Sequence, residues 1–178
     1  MSLSEWGRIA ACVLAILLAI TPGLASADSD EAWAALAKGG HVALIRHGNA
    51  PPGYGGDPPG FRIDDCKTQR NLDDQGRGEA RALGEAFRSW CRCLETGPVE
   101  STWALVPDVD PNVSVRLSEL KKMVAAWRGP GTLVLVTHAF TVRALLVFLP
   151  TQGETVVLRP APESAATGHL VGLIAPPN

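Results

Sequence analysis

The chain has little charge of either sign to spare. Sixteen lysines and arginines face 18 aspartates and glutamates, leaving a formal charge of −2, and the basic residues are scattered. No basic stripe or tail follows a phosphate backbone or an anionic membrane surface, so neither nucleic acid nor a lipid face is an expected partner. Internal repeats and low-complexity tracts are absent, which excludes solenoid and linker-type organisation. No apolar run reaches the ~20 residues of a membrane-spanning helix. Cysteine is scarce, with four residues, and no Cys and His set stands at the spacing of a zinc site. These absences leave a small-molecule or surface-bound substrate as the expected partner.

What is present begins with an export signal. Ile9 to Ile20 is apolar throughout, Arg8 precedes it, and Thr21-Pro22-Gly23 breaks the run before the small-residue pattern Ala25-Ser26-Ala27. Residues 1–27 are therefore read as a signal peptide cleaved near Ala27, and residues 28–178 as one domain, periplasmic or secreted. An uncleaved anchor is the alternative, and it would be the only contact with a membrane. Export permits disulfides, and residues 28–178 keep Cys66, Cys91 and Cys93. With an odd number at most one bridge closes among them, expected from Cys66 to Cys91 or Cys93; three reduced cysteines are the alternative.

Strands and helices alternate along the domain. Val42 to Ile45 and Leu133 to Val136 read as buried strands. Ala80, Leu83 and Phe87 mark one helix and Leu117, Leu120, Val124 and Trp127 a second, stopped by Gly129-Pro130-Gly131. A third carries Val142, Leu145, Leu146 and Leu149. Residues 154–160 and 169–175 read as late strands forming a hairpin at the sheet edge. Residues 50–60, "APPGYGGDPPG", read as a loop over the site. This pattern predicts a layered α/β sheet, whose ligands bind at the carboxyl ends of the strands. Both early strands end on a histidine, Arg46-His47 and Thr137-His138, so both imidazoles are expected in one crevice.

Those residue types suit phosphoryl transfer. The guanidinium of Arg46 is always charged and its forked donors match phosphate oxygens. A neutral imidazole beside it can attack phosphorus and form a phosphohistidine that water then hydrolyses. Gly48 would let the phosphoryl group approach the backbone closely. The helix beginning at Ala139 favours an anion beside His138.

The segments "LIRHGNA", "TQRNLDDQGRGEARALGEAF", "CRCLETG" and "LVLVTHAFTVRALL" together resemble the histidine phosphatase superfamily, with its phosphoglycerate-mutase-like fold, and in particular its secreted, periplasmic members. Ala139 stands where many relatives have glycine. The resemblance implies a three-layer α/β sandwich with a mainly parallel sheet flanked by helices. It implies that Arg46 clamps phosphate, His47 is the nucleophile, His138 stabilises the transferring group and Arg92 is a second clamping arginine. No cofactor and no metal are implied. An acidic residue after the second-arginine helix would protonate the leaving group; Asp110 is the first choice and Asp108 the next, with Glu100 and Glu119 nearby. Gln69, Arg70 and Arg62 reach substrate or serve capping and ion pairing. Asp73 or Asn71 caps the helix that follows, and Leu72 is buried. His41, His169 and Arg143 are expected to pack or face solvent.

The chain departs from that family at one point. Relatives place a strand between the helix containing "GEARALGEAF" and the turn with the second arginine. Here "EAFRSWCRCLET" keeps helical spacing through Phe87, Trp90 and Leu94, and Glu85, Arg88, Arg92 and Glu95 share a polar face. One strand is therefore expected to be missing, and Arg92 stands either in the crevice or on the solvated side of a continuous helix. Without that strand the sheet must close over the gap or leave apolar side chains facing water. The expected activity is a phosphomonoester phosphatase acting through phosphohistidine, impaired by the lost strand. The alternatives are a non-catalytic binder of phosphate or phosphosugar, such as one of the cell envelope, and a mutase-like phosphotransferase.

Overall fold

A computed structural model describes residues 23–51, 57–62, 64–91, 113–161 and 167–177. Helix α1 spans Gly23–Lys38, strand β1 Val42–Arg46, helix α2 Asp74–Trp90 and helix α3 Val113–Ala126. Strand β2 (Leu133–Thr137), helix α4 (Ala139–Leu146) and strands β3 (Thr155–Arg159) and β4 (His169–Ile174) complete it. A single 3-10 turn, Cys66–Thr68, precedes α2.

The sheet runs β2-β1-β3-β4. β1 and β2 are parallel, whereas β3 is antiparallel to β1 and β4 antiparallel to β3. The sheet is thus mixed, not mainly parallel as the resemblance implied. The physical reason is the short connection after α4, which returns the chain beside β1 from the end at which it left. The late hairpin is consequently half interior: β3 lies beside β1, and of the two hairpin strands β4 is the edge among the described residues.

Side chains alternate across the sheet, as a period of two requires. Ala43, Ile45, Val157 and Ile174 pack with Trp33 and Leu36 of α1 and Leu83 and Phe87 of α2. Val42, Leu44, Leu135, Val156 and Leu158 pack on the other face with Leu120, Val124, Val142 and Leu145 of α3 and α4. Helices therefore cover both faces, giving the three layers. α1 is an element the sequence reading passed over, although Ala32, Trp33 and Leu36 hold the spacing of a buried stripe. The expected cleavage position near Ala27 falls inside this helix. No described helix is long and apolar enough to cross a membrane.

Three details differ from expectation. α2 buries Leu83 and Phe87 and its C-cap Cys91 is buried, while Trp90 is 63% exposed and stacks on Trp33 at a centroid distance of 6.1 Å. α4 stops at Leu146 because Val147 turns into the left-handed region at φ 57°, which leaves Leu149 exposed. Cys66 is free and exposed, so neither expected bridge from Cys66 forms, and Cys91 is disulfide-bonded.

α2 runs without interruption through residues 87–90, and among the described residues the sheet has four strands, none of them between Phe87 and Trp90. Among the described residues β2 is an edge, and its Val136 stands 53% exposed over an open cleft beside α2.

Candidate active site

The parallel pairing of β1 and β2 builds the site. Arg46 is in register with Thr137 at the carboxyl ends of the two strands, and the His47 amide donates to the Thr137 carbonyl at 2.9 Å. The next residue of each strand is a histidine, so the pairing delivers His47 and His138 side by side. Their rings meet edge to face with centroids 4.7 Å apart.

Hydrogen bonding assigns the state of His47. Its Nδ1 lies 2.6 Å from the Gly48 carbonyl oxygen. A carbonyl only accepts, so Nδ1 carries the proton and Nε2 keeps its lone pair. Burial is the main cause that lowers the His47 pKa, and the guanidinium groups of Arg70 and Arg46 add to it, against the Gly48 bond and the Asp57 carboxylate. His138 is pushed down to about 4, by burial first and then by His47, with Asp57 opposing. Both imidazoles are therefore neutral near pH 7.

A polar pocket of about 180 Å³ opens above the pair, lined by His47, His138, Thr137, Asp57, Gln69 and Arg70 among others. The Asp57 carboxylate accepts the Arg70 backbone amide at 2.6 Å, tying two loops together at its rim. Gln69 is braced by a bond from its Nε2 to the Arg62 carbonyl. Asp57 is the carboxylate the sequence reading missed. Its only signal was position, in a loop expected to cover the site.

Arg46 stands next to His47 and lines the neighbouring cavity, not this pocket. One guanidinium nitrogen donates to the Pro150 carbonyl at 2.8 Å, and its buried Nε finds no hydrogen-bond partner among the described residues. An unmet buried donor costs about 1–3 kcal/mol, so this nitrogen is ready for an acceptor.

The loop after His47 is locked to the start of α2. Asp73 caps the helix by accepting from the Gly76 amide, and its other oxygen accepts from Asn49 Nδ2 at 2.7 Å. Glu79 accepts the Asn49 amide at 2.6 Å. The backbones cross closely here. A Cβ at Gly48 would sit 2.8 Å from Glu79 Oε2, and one at Gly76 would sit 1.9 Å from the Asn49 carbonyl oxygen. Gly48 is thus required by packing on α2, a different reason from the phosphoryl approach the sequence suggested.

The structure brings together His47, His138, Gln69 and Arg70, with Arg46 and Gly48 adjoining. Arg62 instead pairs with Asp64 at the surface. Arg92, Asp108, Asp110 and Glu100 lie outside the described residues, and Glu119 is exposed on α3. Arg143 and His169 are exposed, and half-buried His41 binds the Gly39 carbonyl. Among the described residues no group of three His, Cys, Asp or Glu is placed to hold a metal ion.

No protein-family model matches the chain, and no curated protein matches it by sequence. Solved structures do match. One is the protein histidine phosphatase SixA complexed with tungstate, similar over 76% of this chain and 97% of that one, with a TM-score of 0.51 and 17% identity. The chain therefore has the fold of the histidine phosphatases, the phosphoglycerate-mutase-like fold.

Proposed function

We propose that the protein is a phosphatase of the histidine type that hydrolyses a small phosphomonoester through a phosphohistidine on His47. The observation that carries this reading is the bond from His47 Nδ1 to the Gly48 carbonyl, which leaves Nε2 as a nucleophile beside a second neutral imidazole. Nε2 attacks phosphorus, the bond from phosphorus to the alcohol oxygen breaks, and the departing oxygen takes a proton. Water then attacks the phosphohistidine, the P–N bond breaks, and inorganic phosphate leaves with His47 restored.

The neighbours have assigned tasks. Arg46 Nε, unmet at present, gains an acceptor when a phosphoryl oxygen arrives, and Arg70 lines the pocket as a second cation. His138 donates to the equatorial oxygens where charge develops. Among the described residues Asp57 is the carboxyl lining the polar pocket; in its acid form it is the proton donor we assign to the leaving group, and it takes a proton back from the attacking water. We further propose that the protein works outside the cytoplasm after removal of residues 1–27.

Binding without turnover is the second reading, favoured by the uninterrupted α2, which holds no strand to aim a later arginine. Phosphate release from phenyl phosphate, measured with a chelator present and with His47→Ala as control, decides between them. Turnover that vanishes in the control supports the enzyme. Phosphate binding without release from a folded protein supports the binder.

A further inference from the structure

A second cavity adjoins the polar pocket. It lies between α2 and the edge strand β2, has a volume of about 200 Å³ and is lined almost wholly by apolar atoms. Leu83, Gly84 and Phe87 of α2 form one wall and Val134 and Val136 the other, with Leu72 at the mouth. His47, Leu72 and Val136 line both cavities, so the two adjoin at His47.

We infer that this cleft holds the apolar part of the substrate, so that the natural phosphomonoester is that of an aromatic or branched aliphatic alcohol. The inference rests on the phosphatase reading for the position of phosphorus. Charge and shape agree along one axis. The end at Arg70 and the two histidines suits an anion, whereas the cleft, although Arg46 and Glu79 stand on its lining, presents almost only apolar atoms around Leu83 and Phe87 to a hydroxyl-rich sugar. Size agrees as well, because an apolar cavity of about 150 Å³ holds a benzene molecule. The cleft has room for a ring and a short substituent. The half-exposed Val136, otherwise an unexplained apolar side chain at a sheet edge, becomes the shared wall between phosphate and ring.

A homologous series tests this on the purified protein: phenyl, 4-methylphenyl, 4-ethylphenyl and 4-propylphenyl phosphates, with a hexose phosphate for comparison. The alkyl groups barely change the acidity of the leaving phenol, so the series reads burial. Each methylene taken from water should raise kcat/KM by about fourfold until the cleft is full, and the hexose phosphate should fall below phenyl phosphate. Gly84→Leu projects into the cleft, and a Cβ there meets only the Arg88 guanidinium, at 3.7 Å. That variant should flatten the series. Gly84→Ala, the milder change, should flatten it partly. Calorimetric binding of the matching alkylphenylphosphonates separates this inference from the catalytic one. Affinity that rises along the phosphonate series without any turnover upholds the cleft and sinks the enzyme. Turnover with a flat series, or a hexose phosphate preferred, overturns the cleft and leaves the enzyme. A folded protein that binds no phosphonate overturns both.

Discussion

The imidazoles of His47 and His138 stand edge to face with their planes 72° apart. Two histidines this close cannot both be protonated cheaply, and burial already disfavours the charge. The pair therefore keeps one ring nitrogen of His47 unprotonated, as the proposed phosphohistidine chemistry requires.

The first expectation concerns pH. The His47 pKa lies below the ordinary 6.5, so kcat/KM should stay level from neutral pH to below that value. It should then fall about tenfold per pH unit as Nε2 takes a proton. Arg70→Ala removes a charge that lowers this pKa, so the acid limb should move to higher pH. Initial rates with 4-nitrophenyl phosphate, whose leaving group needs no proton, from pH 4 to 8 would read this shift, and equal limbs in both proteins would refute the assignment.

Acid should also loosen the fold. His138 is neutral in the folded chain down to about pH 4 but protonates near 6.5 when unfolded. The unfolded state then binds more protons between those values, so stability is lost as pH falls through that window. The limit is about 3 kcal/mol, from a gap of roughly 2.5 pH units. Urea unfolding at pH 7 and pH 4.5 should differ less in His138→Gln than in the unaltered chain.

Clamp and acid roles separate kinetically. Arg46→Ala or Arg70→Ala should cost about 10²–10³ in kcat/KM, the range for losing one preorganised donor. Asp57→Asn should slow alkyl phosphates by about 10²-fold and leave 4-nitrophenyl phosphate nearly unchanged, because nitrophenolate departs without a proton. An equal loss on both substrates would make Asp57 a positioning residue for Arg70, through its bond to the Arg70 amide.

Two glycines on α2 should respond with opposite sign. Gly76→Ala forces a methyl to within 1.9 Å of the Asn49 carbonyl oxygen, a backbone atom that cannot step aside. A loss of about 2 kcal/mol is expected, lowering Tm by roughly 4–8 °C and displacing the loop after His47. Gly78→Ala meets nothing within 4 Å and should stabilise the helix by up to about 1 kcal/mol. Thermal melts of both variants check the pair.

What the sequence determined by itself was local. Its periods of two and near four located β1, α2, α3, β2 and α4, and its chemistry marked Arg46, His47 and His138, because each signal sits within a few residues. α2 passing through residue 90 was legible for the same reason. Asp73 as the helix cap was readable from its place before "DQGRGEA". Only the tertiary structure decided the rest. Strand direction is not written in a strand's own pattern, so the antiparallel β3 appeared only when the chain folded back beside β1. Asp57 reaches the pocket through a contact 13 residues away in sequence, and Arg46 is held from Pro150, 104 residues away. Such contacts join loops whose composition says only that they are loops. The apolar cleft likewise belongs to no segment: it is the space that α2 and an edge strand leave between them, and packing alone sets its shape.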